Sequence, residues 1–142
     1  MWILYQLATA VALVLIGPFM LLRRGAAFLA SVGPRLGRYP GDAPRGALWI
    51  HAVSVGEVGV AATLARALPS ELPLLITTVS PTGQERARAL LGERATINYR
   101  PYDLGFAVDA FYRAFEPAAL VLTEGDYWPL VLREADRRRL PV

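Results

Sequence analysis

The amino-acid sequence predicts an α/β protein: a Rossmann-like parallel sheet with helices on both faces, preceded by an N-terminal hydrophobic helix. Three observations lead to this prediction. The N-terminal segment is apolar and uncharged. From residue 47 onward, short apolar segments alternate with segments that carry apolar residues at helical spacing. Turns rich in glycine, proline or serine separate them, and apolar strands that alternate with helices are typical of a parallel sheet covered on both faces.

The N-terminal segment has the length of a membrane helix. Residues 2–22 carry no charged side chain, and as a helix they would reach about 30 Å, the hydrocarbon thickness of a bilayer. Positive charge follows the apolar run, at Arg23 and Arg24, whereas a cleaved signal peptide carries it in front. The positive-inside rule therefore predicts a membrane anchor at residues 1–24 with the rest of the chain on the cytoplasmic side.

Two features bear on how this anchor lies. Trp2 and Tyr5 are expected to mark the membrane interface at the end opposite the arginines. Gly17 and Pro18 weaken a straight spanning helix, so a segment that lies partly in one leaflet stays open as an alternative.

The remaining chain divides into a linker and a regular domain. Residues 25–46 are rich in glycine, proline and arginine and are predicted to be a basic linker, with room for one short helix. Residues 47–142 are predicted to form the Rossmann-like domain. Its strands are expected at 47–53, 72–79, 95–99 and 118–123, with a fifth beginning at 140–142. Its helices are expected at 57–68, 84–91, 104–115 and 129–138.

Composition excludes several classes of chemistry. The chain contains neither cysteine nor lysine, so disulfides, thiolate zinc sites, cysteine nucleophiles and lysine Schiff bases are ruled out. His51 is the only histidine and is expected to be a core or near-site residue, because no metal-binding partners accompany it. The net charge of +3 comes without a basic stripe, so no nucleic-acid partner is predicted. No metal and no cofactor are predicted.

The strand-to-helix loops of a parallel sheet meet at one edge, where ligands bind. The sequence therefore predicts that four loops converge on one crevice: 54–57, 80–83, 101–103 and 124–128. Glu57 begins a helix, where a carboxylate can stabilise the helix start or act as a general base. Residues 80–83 offer hydroxyls and a glycine, which suit an anion or sugar cradle or an ordinary cap.

The last loop, 124–128, combines two carboxylates with two aromatic rings. This combination suits sugar binding, although Trp128 could simply cover the core. From these residue patterns alone, an enzyme and a binding module stay equally open.

Four segments resemble a known family. The stretch Trp49–Glu57, WIHAVSVGE, closely resembles the start of the catalytic domain of Kdo transferases, which add 3-deoxy-D-manno-octulosonic acid (Kdo) to a lipid A precursor. Thr77–Gly83 is similar to the family's threonine-rich turn, Arg100–Leu104 to its PYDL segment and Glu124–Pro129 to its ETELWP segment. The order and spacing of the segments also match.

The resemblance implies a glycosyltransferase of GT-B architecture, with two Rossmann-like domains. Such an enzyme transfers Kdo from CMP-Kdo to a lipid A-type acceptor in lipopolysaccharide biosynthesis, at the cytoplasmic face of the inner membrane. This chain would be the acceptor-binding N-terminal portion, and the donor-binding C-terminal domain would be absent. The fragment alone is therefore expected to be inactive.

The resemblance also implies roles for individual residues. Glu57 matches the family's general base, and Glu124 matches a glutamate that supports the transition state. The residues expected to contact the acceptor are Ser54, Gly56, Thr82, Gly83, Asp126 and Trp128.

The chain departs from the family pattern in its last motif, where Asp126 replaces a glutamate, Tyr127 a leucine and Leu130 an asparagine. These changes bear on acceptor specificity. A non-catalytic, membrane-tethered binding module or remnant is an alternative, and so is a GT-B transferase for another sugar.

Overall fold

The computed structural model describes residues 1–39 and 43–142. Within these residues, a long N-terminal helix, α1 (Trp2–Arg35), precedes a regular alternation of strands and helices. The strands are β1 (Leu48–His51), β2 (Leu74–Thr78), β3 (Thr96–Tyr99) and β4 (Ala119–Leu122). The helices are α2 (Val55–Ala67), α3 (Pro81–Leu91), α4 (Gly105–Phe115) and α5 (Pro129–Arg137). Helices α2 and α3 begin earlier than predicted because the hydroxyls of Ser54 and Ser80 cap them.

The strands form one parallel sheet in the order β3-β2-β1-β4. This is the strand order of a Rossmann half, with β1 at the centre. Successive side chains of β1 point to opposite faces. Trp49 packs with Phe111 and Phe115 of α4 on one face, whereas Ile50 packs with Val58 of α2 on the other. Helices therefore cover both faces, and the predicted fold class is confirmed.

Helix α1 folds back on itself at Gly25. This residue has φ 51° and ψ −133°, which interrupts the helix between a first arm (residues 2–24) and a second arm (residues 26–35). At one end the Tyr5 hydroxyl donates to Asp103 Oδ2 (2.6 Å), and at the other Tyr102 N donates to Arg35 O (2.9 Å). A straight helix would hold Tyr5 and Arg35 about 45 Å apart. Tyr5 contacts Asp103 and Arg35 contacts the adjacent Tyr102. The two arms must therefore converge on the same edge of the domain.

The N-terminal end of the first arm packs against the α/β domain. Trp2 and Tyr5 pack against the core beneath α4, and the Arg133 guanidinium lies 4.7 Å from the centre of the Trp2 ring. The expectation that these two aromatics mark the far membrane interface was therefore wrong, because contacts with the domain hold them. The second arm makes 26–35 helical, which is the one short helix that the linker prediction allowed.

The outward face of α1 is apolar. Helix α1 is long and apolar enough to cross a membrane, and its apolar stretch is not buried within the protein. Exposed side chains along the first arm include Leu4, Val14, Leu15, Phe19 and Leu22. Such a continuous apolar surface is unusual on a protein surrounded only by water.

The predicted fifth strand is only partly realised. Leu120 N in β4 donates to Pro141 O (2.9 Å), so the segment lies beside β4. Residues 140–142 nevertheless lie outside the described sheet.

Candidate active site

The start of α2 is held by reciprocal hydrogen bonds between Ser54 and Glu57. Glu57 N donates to Ser54 Oγ (3.2 Å), and Ser54 N donates to Glu57 Oε1 (3.0 Å). This capping box satisfies two N–H groups that lack partners within the helix. The helix-start role that the sequence allowed for Glu57 is therefore present.

The Glu57 carboxylate makes two more contacts. Its Oε2 accepts from Val53 N (3.0 Å) and from the Thr123 hydroxyl (2.7 Å). Burial acts to raise the pKa of Glu57, but the hydrogen bonds from Val53, Thr123 and Ser54 outweigh it and hold the pKa below its ordinary value. The side chain is therefore ionised at neutral pH. A carboxylate offers about four lone pairs, so the three described donors leave room for one more.

Glu124 lies at the same edge of the sheet as Glu57. Strands β1 and β4 are parallel neighbours. The hydroxyl of Thr123, directly before Glu124, lies within hydrogen-bond distance of His51 O (2.9 Å) and Glu57 Oε2 (2.7 Å) and can donate its one proton to either. The side chain of Glu124 is exposed, and it accepts no hydrogen bond from the described residues. The topology thus brings the two glutamates to one edge, as predicted from the parallel sheet, with Glu57 fixed and Glu124 unrestrained.

Asp126 is positioned by the single histidine. His51 Nε2 lies 2.9 Å from Asp126 Oδ2, and His51 Nδ1 lies 2.9 Å from Thr77 Oγ1. His51 is 2 % exposed. Burial acts to raise the pKa of Asp126, but the hydrogen bond to His51 and the charge of Arg100 outweigh it, so the pKa is lowered. His51 is therefore a buried residue that supports the edge. Among the described residues, no group of three or more acidic or histidine side chains could hold a metal ion.

The loop before α3 is built as a cap. Gly83 N donates to Ser80 Oγ (3.0 Å), and the Thr82 hydroxyl lies 3.1 Å from the same oxygen. A Cβ at Gly83 would lie 3.1 Å from Ser80 Oγ, so glycine permits this close approach. At Gly56 the corresponding distance to Ser54 Oγ is 3.7 Å, an ordinary contact. Thr82 itself is exposed and accessible to a ligand.

Trp128, in the loop after β4, contacts the loop after β3, which lies at the opposite edge of the sheet. The Arg100 guanidinium lies 3.7 Å from the centre of a Trp128 ring, close enough for a cation–π contact. Asp103 holds these two loops together, because its carboxylate accepts from Leu130 N (3.0 Å) and Val131 N (3.1 Å) at the start of α5. Burial lowers the pKa of Arg100 to about 10, so its guanidinium stays charged at neutral pH.

A cavity of about 730 Å³ lies between α1 and this edge of the sheet; we call it the α1 cavity. Most of its wall is apolar and comes from both arms of α1, while its floor includes Ser80, Tyr102 and Trp128. Of the residues predicted to form the site, only Trp128 lines it. The predicted convergence of four loops on one crevice is therefore only partly correct: Glu57 and its loop lie outside the cavity lining.

Sequence reasoning missed several residues that organise this edge. Thr123 could have been found, because it ends the predicted strand 118–123 next to the Glu57 loop. Asp103 gave no local signal for its role, since it caps a helix more than twenty residues further along the chain. Arg35 was hidden in a stretch with no clear period, yet it reaches Val79 O through its guanidinium.

Comparison with known proteins identifies the family. The family model described as 3-deoxy-D-manno-octulosonic-acid transferase (kdotransferase) matches residues 30–142. A 3-deoxy-D-manno-octulosonic acid transferase of Haemophilus influenzae is 37% identical over 101 residues, covering 69% of this chain and 23% of the relative. Transferases of the same name from Chlamydophila psittaci and Aquifex aeolicus are 31% and 30% identical, over 78% and 62% of this chain and 27% and 25% of their own lengths.

The chain thus spans about a quarter of the length of these curated relatives. The family match covers most of the chain, including all four segments that carry the resemblance. The protein therefore belongs to the Kdo transferase family.

Proposed function

We propose that this chain is the acceptor-binding portion of a glycosyltransferase that transfers Kdo from CMP-Kdo to a lipid A-type acceptor in lipopolysaccharide biosynthesis. The observation that carries the proposal is the Glu57 carboxylate, held ionised at the carboxyl edge of the sheet with room for one further donor. An acceptor hydroxyl is such a donor. The CMP-sugar would bind to a second Rossmann-like domain, as in a GT-B arrangement.

In the proposed reaction, the acceptor hydroxyl donates to Glu57 and its oxygen attacks the anomeric carbon of Kdo. The new carbon–oxygen bond forms as the bond from that carbon to the CMP phosphate breaks, with inversion, and the proton passes to Glu57. Because the pKa of Glu57 is low, this transfer comes late, when bond formation has made the hydroxyl acidic. Glu124 supports the charge that develops in the transition state.

The acceptor sugar would lie along the edge formed by the loops after β1, β2 and β4. Asp126, oriented by His51, offers an ionised carboxylate to sugar hydroxyls. Trp128 offers an aromatic face, and Thr82 an exposed hydroxyl. The residues assigned to acceptor contacts are Ser54, Gly56, Thr82, Gly83, Asp126 and Trp128.

We further propose that α1 attaches the protein to the cytoplasmic face of the inner membrane by lying in one leaflet. Tyr5 and Arg35 contact adjacent residues of one loop, which a helix crossing the bilayer away from the domain would prevent. The exposed apolar side chains of the first arm suit the acyl region. Arg23 and Arg24 suit the anionic headgroups of the cytoplasmic leaflet.

The test is a transfer assay with a fusion of this chain to the C-terminal domain of a relative. We expect the fusion to convert CMP-Kdo and a lipid A precursor into the Kdo-bearing product and CMP, and the chain alone to give none. Glu57→Gln should abolish transfer in the fusion. Glu85→Gln, an exposed position on α3, is the matched control and should leave transfer unchanged.

Three results would contradict parts of the proposal. Turnover by the chain alone would refute the assignment of the donor site to another domain. A fusion that binds the acceptor without transferring any sugar would favour a non-catalytic module. Transfer of a different sugar would favour another GT-B specificity.

A further inference from the structure

Two buried arginines face the α1 cavity, and the proposed reaction uses neither. Arg35, at the end of the second arm, is 6 % exposed, and Arg100, directly after β3, is 3 % exposed. Both line the cavity floor, near the start of α3. A fully buried guanidinium is rare in proteins unless a counter-charge accompanies it.

Neither guanidinium group forms an ion pair or satisfies all of its N–H groups in the described part of the chain, although the charges of Asp126 and Asp103 act on Arg100 from nearby. Arg100 Nε and Nη1 and Arg35 Nε are buried atoms without a hydrogen-bond acceptor. The neighbouring carboxylates are already engaged: Asp103 accepts from Tyr5 and two backbone N–H groups, and Asp126 bonds to His51.

Aromatic rings contact both guanidinium groups. The Arg100 guanidinium lies 3.7 Å from a Trp128 ring centre, and that of Arg35 lies 4.7 Å from the Tyr99 and 5.4 Å from the Tyr102 ring centre. Cation–π contacts orient these groups but supply no net negative charge. A buried positive charge of this kind is costly to maintain, and an anionic ligand would offset the cost.

The rest of the cavity indicates what else such a ligand carries. Much of the remaining lining consists of apolar side chains from both arms of α1: Ala12, Leu13, Ile16, Met20, Phe28 and Val32. The volume of about 730 Å³ lies in the range of sites that enclose a sizeable organic ligand. A cavity with a cationic floor and an apolar wall fits an anion that bears acyl chains.

We propose that Arg35 and Arg100 bind a phosphate group of an acylated acceptor, whose acyl chains lie against the two arms of α1. Arg100 donates through the N–H groups of its guanidinium, a planar fork that suits phosphate oxygens. Arg35 donates through Nε while its Nη2 stays on Val79 O. The proposal rests on the proposed function for the identity of the acceptor, but its binding chemistry can be tested separately.

The test measures equilibrium binding to the whole chain in neutral detergent. Dimyristoyl phosphatidic acid supplies an acylated phosphate, dimyristoylglycerol the acyl chains alone, and inorganic phosphate the anion alone. We expect phosphatidic acid to bind at least about tenfold more tightly than either. Equal affinity for dimyristoylglycerol would overturn the anion site, and equal affinity for inorganic phosphate would overturn the role of α1.

Variants connect the binding to the two arginines. Arg100→Gln and Arg35→Gln should each weaken phosphatidic acid binding by about 10-fold to 100-fold, since each removes charge-assisted hydrogen bonds. Arg86→Gln, an exposed arginine on α3, is the control and should bind as the unchanged chain does.

The thermal midpoint of the ligand-free protein separates a binding role from a structural one. Arg100→Gln should leave it unchanged or raise it, because the cost of burying the Arg100 charge outweighs the attraction of Asp126 and Asp103. A lower midpoint with unchanged affinity would overturn the proposal. Failure of the fusion to transfer Kdo, with phosphatidic acid binding intact, would count against the proposed function alone.

Discussion

Replacing Glu57 by glutamine tests the hydrogen-bond geometry at the start of α2. The carboxylate accepts from three donors, Val53 N, Ser54 N and the Thr123 hydroxyl, whereas an amide has one accepting oxygen and a donating nitrogen. If the amide oxygen stays with Val53 N, the amide nitrogen faces Ser54 N, and two donors oppose each other. If the amide turns over, Val53 N loses its acceptor instead.

Thr123 can adapt in either case, because its hydroxyl also reaches His51 O at 2.9 Å. One backbone N–H group at the helix start is therefore always left without a partner. Leaving such a group unsatisfied costs about 1–3 kcal/mol. For a chain of this size, 1 kcal/mol lowers the melting temperature by about 4 °C, so Glu57→Gln should melt about 4–12 °C below the unchanged protein.

The assay is thermal unfolding followed by circular dichroism in detergent at neutral pH. Glu57→Ala deprives both N–H groups of their acceptors and should cost roughly twice as much. Glu85→Gln should melt with the unchanged protein. If Glu57→Gln is as stable as the unchanged protein, the three-donor arrangement is wrong. Any loss of sugar transfer in this variant would then report on catalysis and not on stability.

Further predictions concern pH, the α5 cap and the α1 reversal. The pKa of Glu57 in the folded protein lies below its ordinary value of 4.5, so the stabilisation by its carboxylate is complete above pH 4.5 and is lost as the pH falls through the folded pKa. The melting temperature should therefore fall less steeply with acid for Glu57→Gln than for the unchanged protein. Identical dependence of melting temperature on pH would contradict this. Asp103→Ala removes the acceptor of two backbone N–H groups at the start of α5 and should cost about 2–5 kcal/mol in chemical unfolding; a loss below about 1 kcal/mol would count against the cap. Gly25→Ala places a side chain at φ 51° and ψ −133°, a conformation that is essentially reserved for glycine, in open space, so backbone strain of about 1–3 kcal/mol should change the angle between the arms. Spin labels, one on each arm, would measure this in a chain that has no native cysteine, and an unchanged distance would contradict it.

The strands and helices were predictable because each depends on a local pattern. Apolar runs such as Leu74–Thr78 are buried on both faces, and the helix starts carry the serines that cap them. The meeting of Glu57 and Glu124 at one edge also followed from sequence, since neighbouring parallel strands end on the same side. Their catalytic roles are still predictions that rest on family resemblance.

The features that escaped prediction all depend on distant contacts. The reversal at Gly25 becomes visible only when Tyr5 and Arg35 are seen to reach one loop. Nothing around Arg100 in the sequence indicates that its charge is buried beneath a helix that begins about 100 residues earlier. Periodicity describes which face of an element is apolar, but it carries no information about which remote side chain completes a site.

The threefold engagement of Asp103 has a mechanical consequence. Its carboxylate joins the hydroxyl of Tyr5 to the first turn of α5, next to Trp128. Helix α1 and the loop that carries Trp128 are therefore held together through one carboxylate. Under the proposed membrane attachment, the depth of the first arm in the bilayer also fixes how far Trp128 and Arg100 lie from the membrane surface, and so where they contact a lipid acceptor.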